Sequence, residues 1–196
     1  MNQVINLRAY TRPSNVPTLV LVDLQHEQVT TLSPTTALAE VFANCCAVLQ
    51  RARTSRLPVA FARLIPRSQF AGLAPPSVRW IDGFTPTRTD MIFDRDKPSC
   101  YSSPEFSDVI GQGNRHFVLA GLTGEAACLS TVIDAFHRGH KVTFLSDASA
   151  SRAAGSFNAA ETHRAVTELI TFYASVIPTA EWVAACDRTV SKSVRG

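Results

Sequence analysis

The sequence has no long apolar run, no strong excess of one charge and no closely spaced cysteine pair. None of its apolar stretches approaches the roughly 18 residues that a membrane helix needs. The formal net charge is only +3, and the basic residues are scattered instead of clustered. The first residues lack the apolar core of a signal peptide. We therefore expect a cytoplasmic protein that has neither a nucleic-acid partner nor a membrane partner.

Motifs for cofactors and crosslinks are also missing. The five cysteines are odd in number and several lie in apolar helical patterns, which favours reduced thiols over a disulfide framework. His137 and His140 lie on either side of the helix-ending Gly139, so they make a poor metal pair. Gly111-Gln112-Gly113 precedes a predicted strand, whereas a dinucleotide-binding fingerprint follows one. We expect no metal and no cofactor.

What the chain does contain is an alternation of strand and helix patterns. With 196 residues, 45% of them hydrophobic, it predicts a single domain over 1–196, in which 1–17 form an N-terminal arm. Alternating strands and helices predict an α/β fold: a mostly parallel sheet between two helical layers, an α/β/α sandwich. The predicted strands are Thr18–Val22, Val59–Leu64, Asp90–Phe93, His116–Ala120, Lys141–Leu145 and Ala174–Ile177.

Two strand ends carry the candidate chemistry. Asp23 directly follows the first strand, where it is either a general acid or base or a residue that caps a turn. The fourth strand ends in a turn over 121–124, and the first free N–H groups of the following helix favour negative charge. A nucleophile is expected near 123–128. Lys97, after the third strand, is either a partner for Asp23 or a surface lysine.

Several short motifs in a fixed order resemble the isochorismatase-like cysteine hydrolase superfamily over roughly 18–185. The resemblance implies its Rossmann-like hydrolase fold, a small-molecule substrate and a homo-oligomer, dimer or larger. It also implies a catalytic aspartate, lysine and cysteine that cleave a C–N bond of a small non-peptide amide or ureide. The motifs are Val22-Asp23-Leu24-Gln25, Lys97-Pro98, Gly121-Leu122-Thr123-Gly124-Glu125, Asp134-Ala135, Gly139-His140-Lys141-Val142 and Ser146-Asp147-Ala148.

In this resemblance Asp23 and Lys97 match the first two catalytic roles. Backbone N–H groups at Thr123 and Ala127 match the oxyanion site, beside a cis peptide bond in the turn. The family's cysteine lies six residues after the turn glycine and seven before the aspartate of Asp134-Ala135, and both counts reach Ala127. Cys128 is rotated by about 100° on a helix, which directs it toward the packed side.

Three hypotheses follow from the alanine at this position. The chain is an amide hydrolase inactivated by replacement of its cysteine, or a cysteine-free isochorismatase-type enzyme, or an inactive homologue that binds a ligand. In the second, Asp23 acts as a general acid on a vinyl ether and no covalent intermediate is needed.

Substrate contacts are expected from Gln25 and from residues on or near the long loop over 65–90. An arginine there would suit a carboxylate or a carbonyl-rich substrate, and aromatic rings could stack on a flat amide. The alternative is that the arginines are solvated and Trp80 packs at a subunit contact. The candidates besides Gln25 are Arg63, Arg67, Arg79, Trp80 and Tyr101. The second strand ends Ala62-Arg63-Leu64, without the Asp-x-His of the metal-binding nicotinamidase branch.

Overall fold

A computed structural model describes residues 16–30, 32, 36–65, 79–112 and 115–193. Strands and helices alternate along the chain as expected. The strands are β1 (Thr18–Val22), β2 (Val59–Leu64), β3 (Met91–Arg95), β4 (His116–Leu122), β5 (Lys141–Ala150) and β6 (Ser175–Ile177). The helices are α1 (His26–Val29), α2 (Thr36–Thr54), α3 (Pro104–Gln112), α4 (Leu129–His137), α5 (Ala159–Ile170) and α6 (Thr179–Ser193).

The six strands form one parallel sheet in the order β3-β2-β1-β4-β5-β6. Helices cover both of its faces, which confirms the predicted α/β/α sandwich. β1 and β4 are neighbours in the centre of the sheet, and Val22 pairs with Gly121. The strand order reverses between them, which is where open parallel sheets bind their ligands. Asp23 and the turn after β4 therefore open onto one crevice.

Alternate side chains of β1 divide the core into two apolar clusters. Val20 and Val22 face a cluster that includes residues of α3, α4 and α5, while Leu19 and Leu21 face one that includes residues of α2 and α6. All four side chains are fully buried. Because both faces are covered, the central strands are apolar throughout, as the sequence pattern indicated.

Besides β4, which continues to Leu122 instead of Ala120, two strands run further than predicted. β3 continues through Arg95, paired with Leu64 of β2, although charged residues begin at Asp94. β5 continues to Ala150, since its last residues pair with the end of β4. In both cases a neighbouring strand supplies the hydrogen bonds, so pairing overrides the local polar pattern.

Some predictions fall outside the described residues. These are most of the N-terminal arm and 66–78 of the long loop with Arg67. In the part of the chain that the structure describes, no helix is both long enough and apolar enough to cross a membrane.

Candidate active site

Asp23 is held in a sharp turn at the carboxyl end of β1. Its φ is +54°, a left-handed conformation that aspartate tolerates better than most residues. Its N–H donates to Ala62 O at 2.9 Å, and its Oδ1 accepts from Leu64 N at 2.9 Å. The residue is only 2% exposed. Both bonds reach β2, so the sheet itself orients the carboxylate.

The cation that pairs with Asp23 is Arg95, at the end of β3. Its Nη2 donates to Asp23 Oδ2, and its Nη1 donates to Lys97 O at 2.6 Å. The Arg95 side chain is 1% exposed, so this is a buried ion pair. Lys97 is exposed, and none of the described hydrogen bonds or ion pairs joins its side chain to Asp23. The structure therefore corrects the expectation that Lys97 would be the partner. The reason is the longer β3, which brings Arg95 to the strand end.

Burial raises the pKa of Asp23 above its ordinary value. The Arg95 guanidinium and the Leu64 N–H stabilise the carboxylate and oppose the rise, and the charge of Arg152 opposes it further. Desolvation is the larger effect because the group is almost completely removed from water. A carboxyl group with a raised pKa is a better proton donor near neutral pH than an ordinary aspartate.

The turn after β4 brings a helix start against Asp23. Gly121 has a φ of +116°, and a Cβ there would lie 2.2 Å from Val22 O, so only glycine fits. The expected cis peptide bond lies between Leu122 and Thr123. A π-helical turn over Gly124–Cys128 follows, and Cys128 N donates to Thr123 O at 3.1 Å. The N–H groups before it have no acceptor inside the helix, which is the arrangement expected of an oxyanion site.

Ala127 and Cys128 are both buried in this turn, at 2% and 0% exposure. The Cys128 Sγ makes a weak contact with Gly121 O at 3.9 Å and lies in the apolar cluster under the sheet. Burial raises the pKa of Cys128 well above the usual value, and the charges of Cys100 and Asp23 add to the rise. Burial also raises the pKa of Cys100 to about 11. Both thiols are therefore protonated at neutral pH and poor nucleophiles.

A second arginine lies near the crevice on the other side. Arg152, two residues past β5, donates from Nε to Glu125 Oε1 at 2.7 Å and from its backbone N to Glu125 Oε2 at 3.1 Å. Its side chain is 40% exposed, and its charge lowers the pKa of Asp23. Glu125 thus holds one edge of the guanidinium and leaves the rest of it free for an anionic ligand.

Three of the predicted substrate-binding residues cluster beside Asp23. Gln25 pairs its backbone with Trp80, and its side-chain Oε1 is buried without a donor among the described residues. The Trp80 ring packs edge-on against Phe61 at 5.4 Å. Arg63 lies over that ring and is bound to both carboxylate oxygens of Asp94. Gln25 therefore retains a free acceptor, whereas the charge of Arg63 is already paired.

Tyr101 lies elsewhere. Its hydroxyl is 2.7 Å from His140 Nδ1, and Arg138 lies over its ring. His140 directly precedes β5, so the hydroxyl points toward the amino end of that strand and away from Asp23. The structure gives Tyr101 a packing role between α3 and α4. Among the described residues, no group of three or more His, Cys, Asp or Glu side chains is placed to hold a metal ion.

Sequence reasoning missed Arg95 and Arg152. A signal for Arg95 was present, since it lies two residues before Lys97 and next to the predicted third strand. Only the register of β2 and β3 shows that it is the residue at the strand end. No comparable signal marked Arg152, because its partner Glu125 lies 27 residues earlier in the chain.

Comparison with known proteins agrees with this geometry. The family model described as the isochorismatase domain matches residues 17–181. The chain belongs to the isochorismatase family. No match was found among curated proteins.

Solved structures of this family share the fold. An isochorismatase from Pseudomonas putida KT2440 is 22% identical over 87% of this chain and 92% of its own, with a TM-score of 0.74. A cysteine hydrolase from Pseudomonas syringae pv. phaseolicola 1448A is 22% identical over 89% and 94%, with a TM-score of 0.76. An isochorismatase family protein from Burkholderia thailandensis is 18% identical over 89% and 97%, with a TM-score of 0.72. At these identities the likeness concerns the fold.

Proposed function

We propose that this isochorismatase family member is a hydrolase in which Asp23 transfers the proton directly, without a cysteine nucleophile. The substrate class is a small vinyl ether that carries a carboxylate. The observation that carries the proposal is the buried carboxyl of Asp23, whose pKa is raised by desolvation, opposite a helix start that offers Ala127 in place of a nucleophile.

The reaction begins with proton transfer from the Asp23 carboxyl to the terminal vinyl carbon. The electrons of the C=C bond form the new C–H bond and leave an oxocarbenium ion. Water adds to that ion, and its proton returns to the Asp23 carboxylate. The resulting hemiketal then breaks into a carbonyl compound and an alcohol, so the net change is the addition of one water molecule.

Two arginines support these steps. Arg95 stabilises the carboxylate that Asp23 becomes after it gives up its proton, because the two groups are already paired in a buried site. Arg152 binds the carboxylate of the substrate with the edge of its guanidinium that Glu125 leaves free. The backbone N–H groups at Thr123 and Ala127 stabilise oxygen atoms of the substrate.

The two departures from the family pattern favour a cysteine-free route over a single inactivating replacement. The nucleophile position holds Ala127, and the cation beside Asp23 is Arg95 instead of a lysine. A replacement made only to remove the nucleophile would leave the lysine in place. The neighbouring thiols do not compensate, since burial raises the pKa of both Cys100 and Cys128.

The test measures the pyruvate that the protein releases from isochorismate and from the simple vinyl ether 2-methoxyacrylate. We expect hydrolysis by the parent chain and a loss of about 10³-fold in kcat/KM for Asp23→Asn, the range for loss of a general acid. Cys128→Ala should keep the parental rate, which serves as the matched control. Equal rates for the parent and Asp23→Asn, or loss of activity in Cys128→Ala, would overturn the proposal.

A second candidate is hydrolysis of a small amide or ureide by the same site with its cysteine restored. It is favoured by the position of Ala127, which is buried at the helix start two residues after Glu125. We expect Ala127→Cys to gain amidase activity and to react with iodoacetamide faster than the parent. If the parent is inert on vinyl ethers and Ala127→Cys is inert on amides and ureides, the third hypothesis, an inactive binding homologue, replaces both.

A further inference from the structure

A second cavity lies beyond the end of β5, and neither Asp23 nor Arg95 is among the residues that line it. Its volume is about 330 Å³, and it is bounded by α2, the end of β5 and the first turns of α5. β6 pairs only with Thr143–Leu145, so among the described strands none covers the later residues of β5 on that side. Asn44 and Cys45 of α2 bond instead to the carbonyls of Asp147 and Ala148. The cavity opens in the gap between α2 and α5.

Most of the cavity wall is apolar. Leu38 and Val41 of α2 line one side, and Ala159 and Ala160 of α5 line the other. Leu38 and Val41 are each 8% exposed, so they already pack at the edge of the core. A wall of this kind favours an apolar ligand body, such as an aromatic ring, because burying that surface removes it from water.

One polar atom in the wall has no partner. Ser149 is 1% exposed, and its Oγ is buried without a hydrogen bond to any described residue. A buried hydroxyl without a partner costs free energy, so such groups in folded proteins are usually bonded to something. Because this Oγ is not accessible from the cavity, a polar contact to a ligand there has to come from another residue of the wall.

The charge of the wall is positive. Arg164 lines the cavity, is exposed, and forms no ion pair with a described residue. His163 beside it has both ring nitrogens in use, with Nδ1 3.1 Å from Ser151 Oγ and Nε2 2.8 Å from Ser146 O. Nε2 donates to that carbonyl, so neither ring nitrogen is left for a ligand. None of the described lining residues is acidic.

We propose that this cavity is a second small-molecule site, and that it takes a compact aromatic carboxylate. The ring packs between Leu38, Val41 and the alanines of α5, and the carboxylate pairs with Arg164. The site does not depend on the proposed hydrolysis, because neither Asp23 nor Arg95 lines this cavity.

The test is ligand-observed ¹⁹F NMR with 4-fluorobenzoate, and 4-fluorobenzyl alcohol is the uncharged control. We expect saturable binding of the carboxylate and binding of the alcohol that is about tenfold weaker, the loss of one charge-assisted bond. Arg164→Gln should weaken binding of the carboxylate by a similar factor and leave the affinity for the alcohol unchanged. Arg88→Gln, which removes another exposed arginine, should change the affinity for neither probe.

Two further variants separate this cavity from the crevice. Ala160→Trp places a bulky ring at an exposed wall position and should abolish binding of both probes. Arg152→Gln removes the free arginine of the crevice and should leave both affinities unchanged. Weakening by Arg152→Gln without any effect of Arg164→Gln would place the carboxylate in the crevice and overturn the proposal.

The remaining outcome is that another copy of the chain covers the cavity. In that case neither probe binds, and sedimentation shows an oligomer that Ala160→Trp dissociates. This result would also overturn the proposal, since the occupant would then be protein and not a small carboxylate.

Discussion

The crevice at Asp23 and the cavity at Ser149 lie along the same carboxyl edge of the sheet, yet they treat polar groups in opposite ways. In the crevice the buried carboxylate has both oxygens occupied, one by Leu64 N and one by Arg95. In the cavity the buried Ser149 hydroxyl has no partner among the described residues, and the charge of Arg164 is exposed. The crevice is therefore organised before any ligand arrives, as catalysis requires. The cavity leaves only the charge of Arg164 for a ligand.

The backbone conformation also differs between the crevice and the cavity. The crevice depends on two left-handed positions, Asp23 and Gly121, that bring β1 and β4 into close contact. Such conformations persist only where surrounding structure enforces them, and they are concentrated at functional sites. The cavity is formed by the gap between α2 and α5. Changes in the crevice should therefore be more damaging than equivalent changes in the cavity.

The largest contrast is expected between two arginines. Arg95→Ala removes one partner of the buried Asp23–Arg95 pair, and we expect the free energy of unfolding to fall by about 3–5 kcal/mol. Arg164→Ala removes an exposed charge at the cavity and should change the free energy of unfolding by less than about 0.5 kcal/mol. Urea denaturation of both variants measures this. If Arg95→Ala lowered the free energy of unfolding by no more than Arg164→Ala does, the Arg95–Asp23 pair would not be essential to the fold.

The next contrast concerns two glycines. Gly121→Ala would place a Cβ 2.2 Å from Val22 O in a left-handed backbone, so we expect a loss of about 3 kcal/mol. Gly111→Ala in α3 is the control. A Cβ there meets nothing within 4 Å, and alanine should stabilise the helix by up to about 1 kcal/mol. Thermal unfolding of both variants gives the comparison, and a stable Gly121→Ala would disprove the close approach of β1 and β4.

The third prediction uses the raised pKa of Asp23. Because only the protonated carboxyl donates, hydrolysis should fall by about tenfold for each pH unit above that pKa. The folded state also holds this proton more tightly than the unfolded state does. Its contribution to stability is therefore full below the ordinary pKa of aspartate and is lost as the pH rises through the folded value.

Two controls define the measurement. The unfolding free energy of the parent relative to Asp23→Asn should decrease as the pH rises through this window. Asp94→Asn, which removes the partly exposed carboxylate bound to Arg63, should keep the parental rate profile. A parental profile that is flat with pH would remove Asp23 from the proton-transfer step.

The smallest effect is expected at Ser149. Ser149→Ala removes a buried hydroxyl that has no partner, so the protein without ligand should become more stable by up to about 1 kcal/mol. The same variant should bind 4-fluorobenzoate as tightly as the parent, since the hydroxyl is not accessible from the cavity. Ser130→Ala is a suitable control because Ser130 Oγ donates to Ala126 O at 2.6 Å, and its loss should destabilise the chain. A destabilised Ser149→Ala would mean that the hydroxyl already has a partner.

Much of the architecture could be predicted because it depends on local patterns. Apolar runs ended by turn residues marked the strands, and apolar residues at helical spacing marked α2 and α5. Asp23 was found because it directly follows an apolar strand, and Ala127 because the family that the motifs resemble has its cysteine at that distance along the chain from Gly121 and Asp134. None of these inferences required knowledge of contacts between distant residues.

The amino-acid sequence alone determined the order of strands and helices, the position of Asp23 at a strand end, and the alanine at the helix start after β4. Tertiary structure decided that Arg95 and not Lys97 pairs with Asp23, that Glu125 holds Arg152, and that Ser149 lines a cavity. The physical reason is that each of these depends on the register between segments far apart in the chain. A shift of one or two residues between β2 and β3 changes which side chain reaches the strand end, and local periodicity does not encode that register.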